Sequence, residues 1–80
     1  VSDRAGEATT LNNIGLVYRA IGQPQQALTY YQQALTISRE VRDRAGEAAT
    51  LNNIGAVYSD IGQPQEAIEN LEKSVQITLE

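Results

Sequence analysis

Eighty residues with a net charge of −4 make one domain at most, near the lower size limit for a self-sufficient core. Cysteine and histidine are both absent, which excludes a disulfide framework, a thiolate or imidazole metal site and the commonest general base. The excess charge lies in residues 41–80, where seven acids face three bases, while residues 1–40 balance three acids against three arginines.

An acidic half repels phosphate backbones, so a nucleic-acid partner is not expected. No apolar run approaches the roughly 20 residues that span a bilayer, and the first residues do not resemble a secretory signal. No membrane partner is expected, and a cytoplasmic location is. Methionine is absent, so the sequence reads as a piece of a longer protein or a trimmed chain.

The periodicity predicts four helices, at about 4–20, 24–41, 44–60 and 64–79. Asp3 is placed to cap the first, along which Leu11, Ile14, Tyr18 and Ile21 recur at spacings of three and four. Gly22 suits the left-handed position that ends a helix, and Pro24 suits the first turn of the next. The second helix carries Ala27, Tyr31, Ala34 and Ser38 on one side and Leu28 and Leu35 on another. Asp43 caps the third, with Leu51, Ile54, Tyr58 and Ile61 as its apolar series; Gly62 and Pro64 punctuate as before. The fourth carries Ala67, Leu71, Ser74 and Thr78, with Ile68 and Val75 on its other side.

These halves are one unit written twice. "VSDRAGEATTLNNIGLVY" at residues 1–18 returns as "VRDRAGEAATLNNIGAVY" at 41–58, and at an offset of 40 residues 23 of 40 positions are identical. A period of that length signals stacked units, each burying its apolar face on its neighbours.

Leu11, Ile14, Gly15, Tyr18, Ala27 and Tyr31 fall on the pattern W-x2-L-G-x2-Y followed by A-x3-F, as do Leu51, Ile54, Gly55, Tyr58, Ala67 and Leu71. In both copies the chain resembles the tetratricopeptide repeat. It departs from that pattern in three ways: leucine replaces the tryptophan, Arg39 and Leu79 replace the closing proline, and the period is 40 rather than 34. The longer period is similar to that of kinesin light chains, Pins-type spindle-orientation adaptors and bacterial signalling arrays. The resemblance implies an all-α fold of two helix-turn-helix units, 1–40 and 41–80, in a short right-handed α-solenoid. It also implies that the chain is a non-enzymatic scaffold holding a protein or peptide segment in a concave groove.

"TLNNIG" occurs in both copies and places weak helix formers inside a helix. With Leu11 at 0°, Ile14 falls at about 300°, Gly15 at about 40° and Tyr18 at about 340°, so both glycines are expected to admit a partner helix. Asn13 falls at about 200°, Thr9 at about 160°, Leu16 at about 140°, Asn12 at about 100° and Arg19 at about 80°. In the resembling family this side lines the groove, and Asn13 and Asn53 match the asparagine that holds peptide. A carboxamide donates and accepts, so it pairs with a peptide backbone whatever its sequence. Asn12, Asn52, Thr9, Leu16 and Arg19 complete the expected groove, although Asn12 and Asn52 also suit a bridge between helices or plain solvation. Leu16, replaced by Ala56 in the second copy, reads equally as a pocket wall or a locally packed side chain. One groove base, Arg19, is too few for the clamp by which family members take a carboxylate tail.

Arg39–Asp43 and Glu40–Arg44 have the spacing of i, i+4 ion pairs at the unit junction, on condition that the helix is continuous there. At the other end, Ile68, Val75 and Leu79 form an apolar face with no capping helix after it, expected to stay exposed or be covered by another copy through stacking, dimerisation or hairpin exchange. A purely structural, self-assembling or designed repeat is therefore the alternative to a peptide-binding module. An RNA-reading repeat conflicts with the charge. An enzyme is not expected, nor any cofactor or metal: Asp60, Glu66, Glu69 and Glu72 read as a solvated acidic face.

Overall fold

The computed structural model describes residues 3–80; Val1 and Ser2, the first residues of the first expected unit, lie outside the described residues. Four helices follow one another: α1 (Arg4–Ala20), α2 (Pro24–Glu40), α3 (Arg44–Asp60) and α4 (Pro64–Leu79). The fold is all-α, two helix-turn-helix units of a solenoid, with α1 packed on α2, α2 on α3, α3 on α4, and α1 more lightly on α3. The Cα trace measures 40 × 30 × 13 Å.

Local chemistry sets the helix boundaries. Asp3 Oδ1 accepts the Gly6 N–H at 2.9 Å, and Asp43 Oδ1 accepts that of Gly46 at the same distance, which satisfies donors otherwise orphaned in the first turn. At the other end of α1, the Gly22 N–H donates to the Arg19 carbonyl and the Gln23 N–H to that of Tyr18, with Gly22 at φ 78°. Gly62 closes α3 in the same way at φ 77°.

The unit junction repeats this closure without a glycine. Asp43 N–H donates to the Ser38 carbonyl and Arg42 N–H to that of Arg39, and Arg42 itself takes φ 57°. α2 therefore ends at Glu40, with Val41 as its cap, one residue short of the expected boundary. The i, i+4 pairs expected at the junction do not form, because the left-handed turn breaks the helix they require. Arg39 instead reaches Glu47 at 3.1 Å, Glu40 accepts from Arg4 at 2.7 Å, and Arg44 pairs with both Glu47 and Glu80.

The main core gathers Ala27, Tyr31, Leu35, Leu51, Ile54 and Val57, flanked by Tyr18, Leu28, Tyr58 and Ile77. A smaller cluster of Ala8, Ala34 and Ile37, with Leu11 against it, seals the other end of α1 and α2. Burying a large apolar side chain stabilises by about 1.5–3 kcal/mol, so α2 and α3, which together supply the buried residues of the main core, are the principal source of cohesion. The motif glycines mark the close approaches. A β-carbon at Gly15 would stand 2.5 Å from Tyr31 Cε1, and one at Gly55 would stand 2.9 Å from Leu71 Cγ.

Candidate functional site

The expected groove residues lie on α1 and its counterpart α3, and their side chains are not equivalent. Thr9, Asn13, Leu16 and Arg19 are exposed, Asn12 and Asn53 are half-buried, and Asn52 is exposed. Thr9 turns its hydroxyl back on its own helix, donating to the Ala5 carbonyl at 3.2 Å. Asn12 is engaged across the unit junction: its Nδ2 donates to Thr50 Oγ1 at 2.9 Å, while that hydroxyl donates to the Gly46 carbonyl. Thr50 is fully buried, so this bond satisfies a polar group in the α1–α3 seam.

Asn13 and Asn53 differ from Asn12 in this respect. Among the described residues, neither carboxamide takes part in a side-chain hydrogen bond. Both remain available to an outside donor or acceptor, on adjacent helices and at the same register.

Further along the seam, Leu16, Arg19, Ala20 and Asp60 line an open cleft of about 370 Å3. Arg19 Nε donates to Asp60 Oδ2 at 2.6 Å and Nη2 to Oδ1 at 3.2 Å, a forked pair between the ends of α1 and α3. The hydrogen bond from Arg19 holds the Asp60 carboxyl below the usual carboxylate range, and Asp60 raises the Arg19 pKa in turn. Beneath the seam, burial pushes the Tyr31 phenol upward, with Arg19 opposing and Asp60 reinforcing that shift. The Tyr31 hydroxyl has no hydrogen-bond partner among the described residues.

Sequence reasoning placed Arg19 in the groove but put Asp60 among the solvated acids. A signal for the pair was present. Arg19 corresponds to Ser59 and Asp60 to Ala20 in the other copy, so two opposite charges depart from the repeat at neighbouring positions on parallel helices. The cleft's only arginine is thus already neutralised by an acid from the second unit.

The α4 residues lie elsewhere. Ile68, Leu71, Glu72, Val75 and Gln76 line a shallow groove of about 280 Å3, and Leu79 projects beyond it, 76% exposed. No helix among the described residues is long and apolar enough to cross a membrane.

A family model described as tetratricopeptide repeat matches residues 6–80. No curated protein and no solved structure matches the chain.

Proposed function

The chain belongs to the tetratricopeptide repeat family, and on that premise we propose that it is a scaffold whose α1 and α3 hold an extended peptide. The family consists generally of protein–protein interaction modules and is typically non-catalytic. The observation that carries the finer reading is the pair of unengaged carboxamides, Asn13 and Asn53, repeated at the same register of adjacent helices.

Each proposed unit, 1–40 and 41–80, contributes one rung. A carboxamide that both donates and accepts makes paired hydrogen bonds with a peptide unit, fixing its direction without reading its side chains. Leu16 and the aliphatic stem of Arg19 then supply an apolar wall for one ligand side chain beside the cleft. Because Asp60 neutralises the Arg19 charge, the site favours a neutral segment over an acidic tail.

A displayed-peptide selection on the native chain and on the Asn13→Ala, Asn53→Ala double variant tests this reading. Peptides enriched on the native chain are expected to lose binding to the variant while its helicity is unchanged. Equal enrichment on both proteins would mean that the carboxamides do not hold peptide.

A further inference from the structure

We propose that the cleft at the end of the α1–α3 seam is a specificity pocket for one glutamine side chain of the bound peptide. This rests on the reading of α1 and α3 as a peptide holder, and adds the side chain that such a peptide carries. Both walls of the cleft belong to the described chain, so the pocket lies within the array rather than at either end of it.

The pocket forms where the two copies diverge. α1 and α3 carry the same residue at every position except four: Thr9 against Ala49, Leu16 against Ala56, Arg19 against Ser59 and Ala20 against Asp60. Thr9 bonds back to its own helix. The other three positions supply all the residues that line the cleft, Leu16, Arg19, Ala20 and Asp60. A ladder of identical asparagines reads backbone and cannot tell one peptide from another. The unrepeated residues gather at the one place beside that ladder where a side chain can be read.

The pocket is within reach of the ladder. Asn13, Leu16 and Ala20 stand at i, i+3 and i+7, along one line of α1. Leu16 is then about 4.5 Å along the axis from Asn13, and Ala20 about 10 Å. A long side chain on a backbone held at Asn13 enters the cleft past Leu16, and the additional methylene of glutamine over asparagine suits that offset.

The chemistry of the pocket selects a carboxamide. Arg19 and Asp60 make two bonds to each other, Nε to Oδ2 and Nη2 to Oδ1. The Nη1 donors of Arg19 and a second lone pair on each Asp60 oxygen remain for a ligand, on side chains 39% and 45% exposed. A carboxamide carbonyl accepts from Arg19 while its NH2 donates to Asp60, and the forked pair stays intact. The methylenes of glutamine lie against Leu16 and Ala20.

Other side chains of similar length fit worse. Glutamate offers Asp60 no donor and sets a second carboxylate beside it. Lysine offers Arg19 no acceptor and sets a second cation beside it. Methionine covers both ions without bonding to either, which leaves their polar atoms desolvated and unpaired.

A displayed random-peptide selection on the native chain is expected to enrich sequences with glutamine at one fixed position. A synthetic peptide of that consensus, and forms with glutamate, lysine or methionine in place of the glutamine, are then titrated against the native chain by calorimetry. The three replacements are expected to bind about three- to tenfold more weakly than the parent. The same four peptides are titrated against Arg19→Ser, Asp60→Ala, which carries the other copy's residues at both positions and leaves the net charge at −4. This variant is expected to bind all four weakly and to distinguish none of them.

Enriched peptides without a fixed glutamine overturn the pocket and leave the asparagine ladder standing. So does a methionine form that binds the native chain as tightly as the parent, or a glutamine preference that survives in Arg19→Ser, Asp60→Ala. A preference kept by Asn13→Ala, Asn53→Ala with undiminished affinity, and lost with Arg19 and Asp60, sustains the pocket and removes the ladder. If the native chain enriches no peptide, both fall. The four peptides on the native chain decide the matter even if the Arg19→Ser, Asp60→Ala variant loses helicity.

Discussion

Gly15 lies flat against the ring of Tyr31, and a β-carbon there would stand 2.5 Å from Cε1 and 2.7 Å from Cδ1. Tyr31 is fully buried, so its ring has no room to withdraw. At Gly55 the nearest atoms are Leu71 Cγ at 2.9 Å and the Ala67 carbonyl oxygen at 3.1 Å, and Leu71 is partly exposed and able to turn. Alanine gains about 1 kcal/mol of helix propensity at either site, while overpacking costs about 1–3 kcal/mol. Gly15→Ala is therefore expected to destabilise, and Gly55→Ala to cost at least about 1 kcal/mol less. Urea unfolding of the two variants checks the order; equal losses would contradict it.

Asn12 and Asn52 occupy the same register, but only Asn12 bonds across the seam to Thr50. Asn12→Ala is expected to cost about 0.5–1.5 kcal/mol more than Asn52→Ala, the net worth of one hydrogen bond whose partner is buried. Unfolding should be followed at several concentrations and extrapolated to high dilution, so that contacts between copies do not enter. Equal effects at dilution would mean the seam bond contributes nothing.

Arg42 takes the left-handed turn that Gly22 and Gly62 take elsewhere. A side chain in that conformation costs about 1–2 kcal/mol, partly offset by the entropy that glycine gains in the unfolded chain. Arg42→Gly is thus expected to raise stability by up to about 1 kcal/mol. A lower thermal midpoint in calorimetry would show that the arginine side chain contributes more than its backbone strain costs.

The helices, their caps and the close glycine contacts were legible because each depends on a few neighbouring residues. Asp3, Gly22 and Pro24 act within one turn of where they stand, and Gly15 falls on the packed face by periodicity alone. The junction was less legible. Nothing in "EVRD" marks a left-handed residue, since arginine tolerates that backbone only because the fold on both sides requires the turn. The i, i+4 pairs were conditional on a helix running unbroken from Arg39 to Arg44; the turn at Arg42 removes that condition and aims Arg39 at Glu47. Within the candidate site, sequence periodicity put Asn12 and Asn13 on one flank. A bridge between helices was already open to Asn12 and Asn52 in the sequence; the packing of α1 beside α3 makes that bridge at Asn12.

Arg19 and Asp60 join the ends of α1 and α3, and the Asp60 carboxyl is held below its ordinary range by the hydrogen bond from Arg19. Its stabilising contribution is then fully present above the unfolded carboxyl value, about pH 4, and is lost as pH falls through the folded value. The difference in thermal midpoint between the native chain and Asp60→Asn is expected to be largest near neutrality and to vanish in acid. The pair is partly exposed, so added salt at neutral pH should reduce that difference as well. A difference independent of pH would mean that the pair contributes no charge-dependent stability.

The central claim is that the Asn13 and Asn53 carboxamides hold a peptide across α1 and α3. Side-chain amide signals of the labelled chain, followed while a selected peptide is titrated in, test it most directly. The expected result is that Asn13 and Asn53 shift together and saturably, while the amide of Asn12, already engaged with Thr50, moves less. Shifts confined to α4, with Asn13 and Asn53 unmoved at saturation, would contradict the claim and place the peptide on another surface.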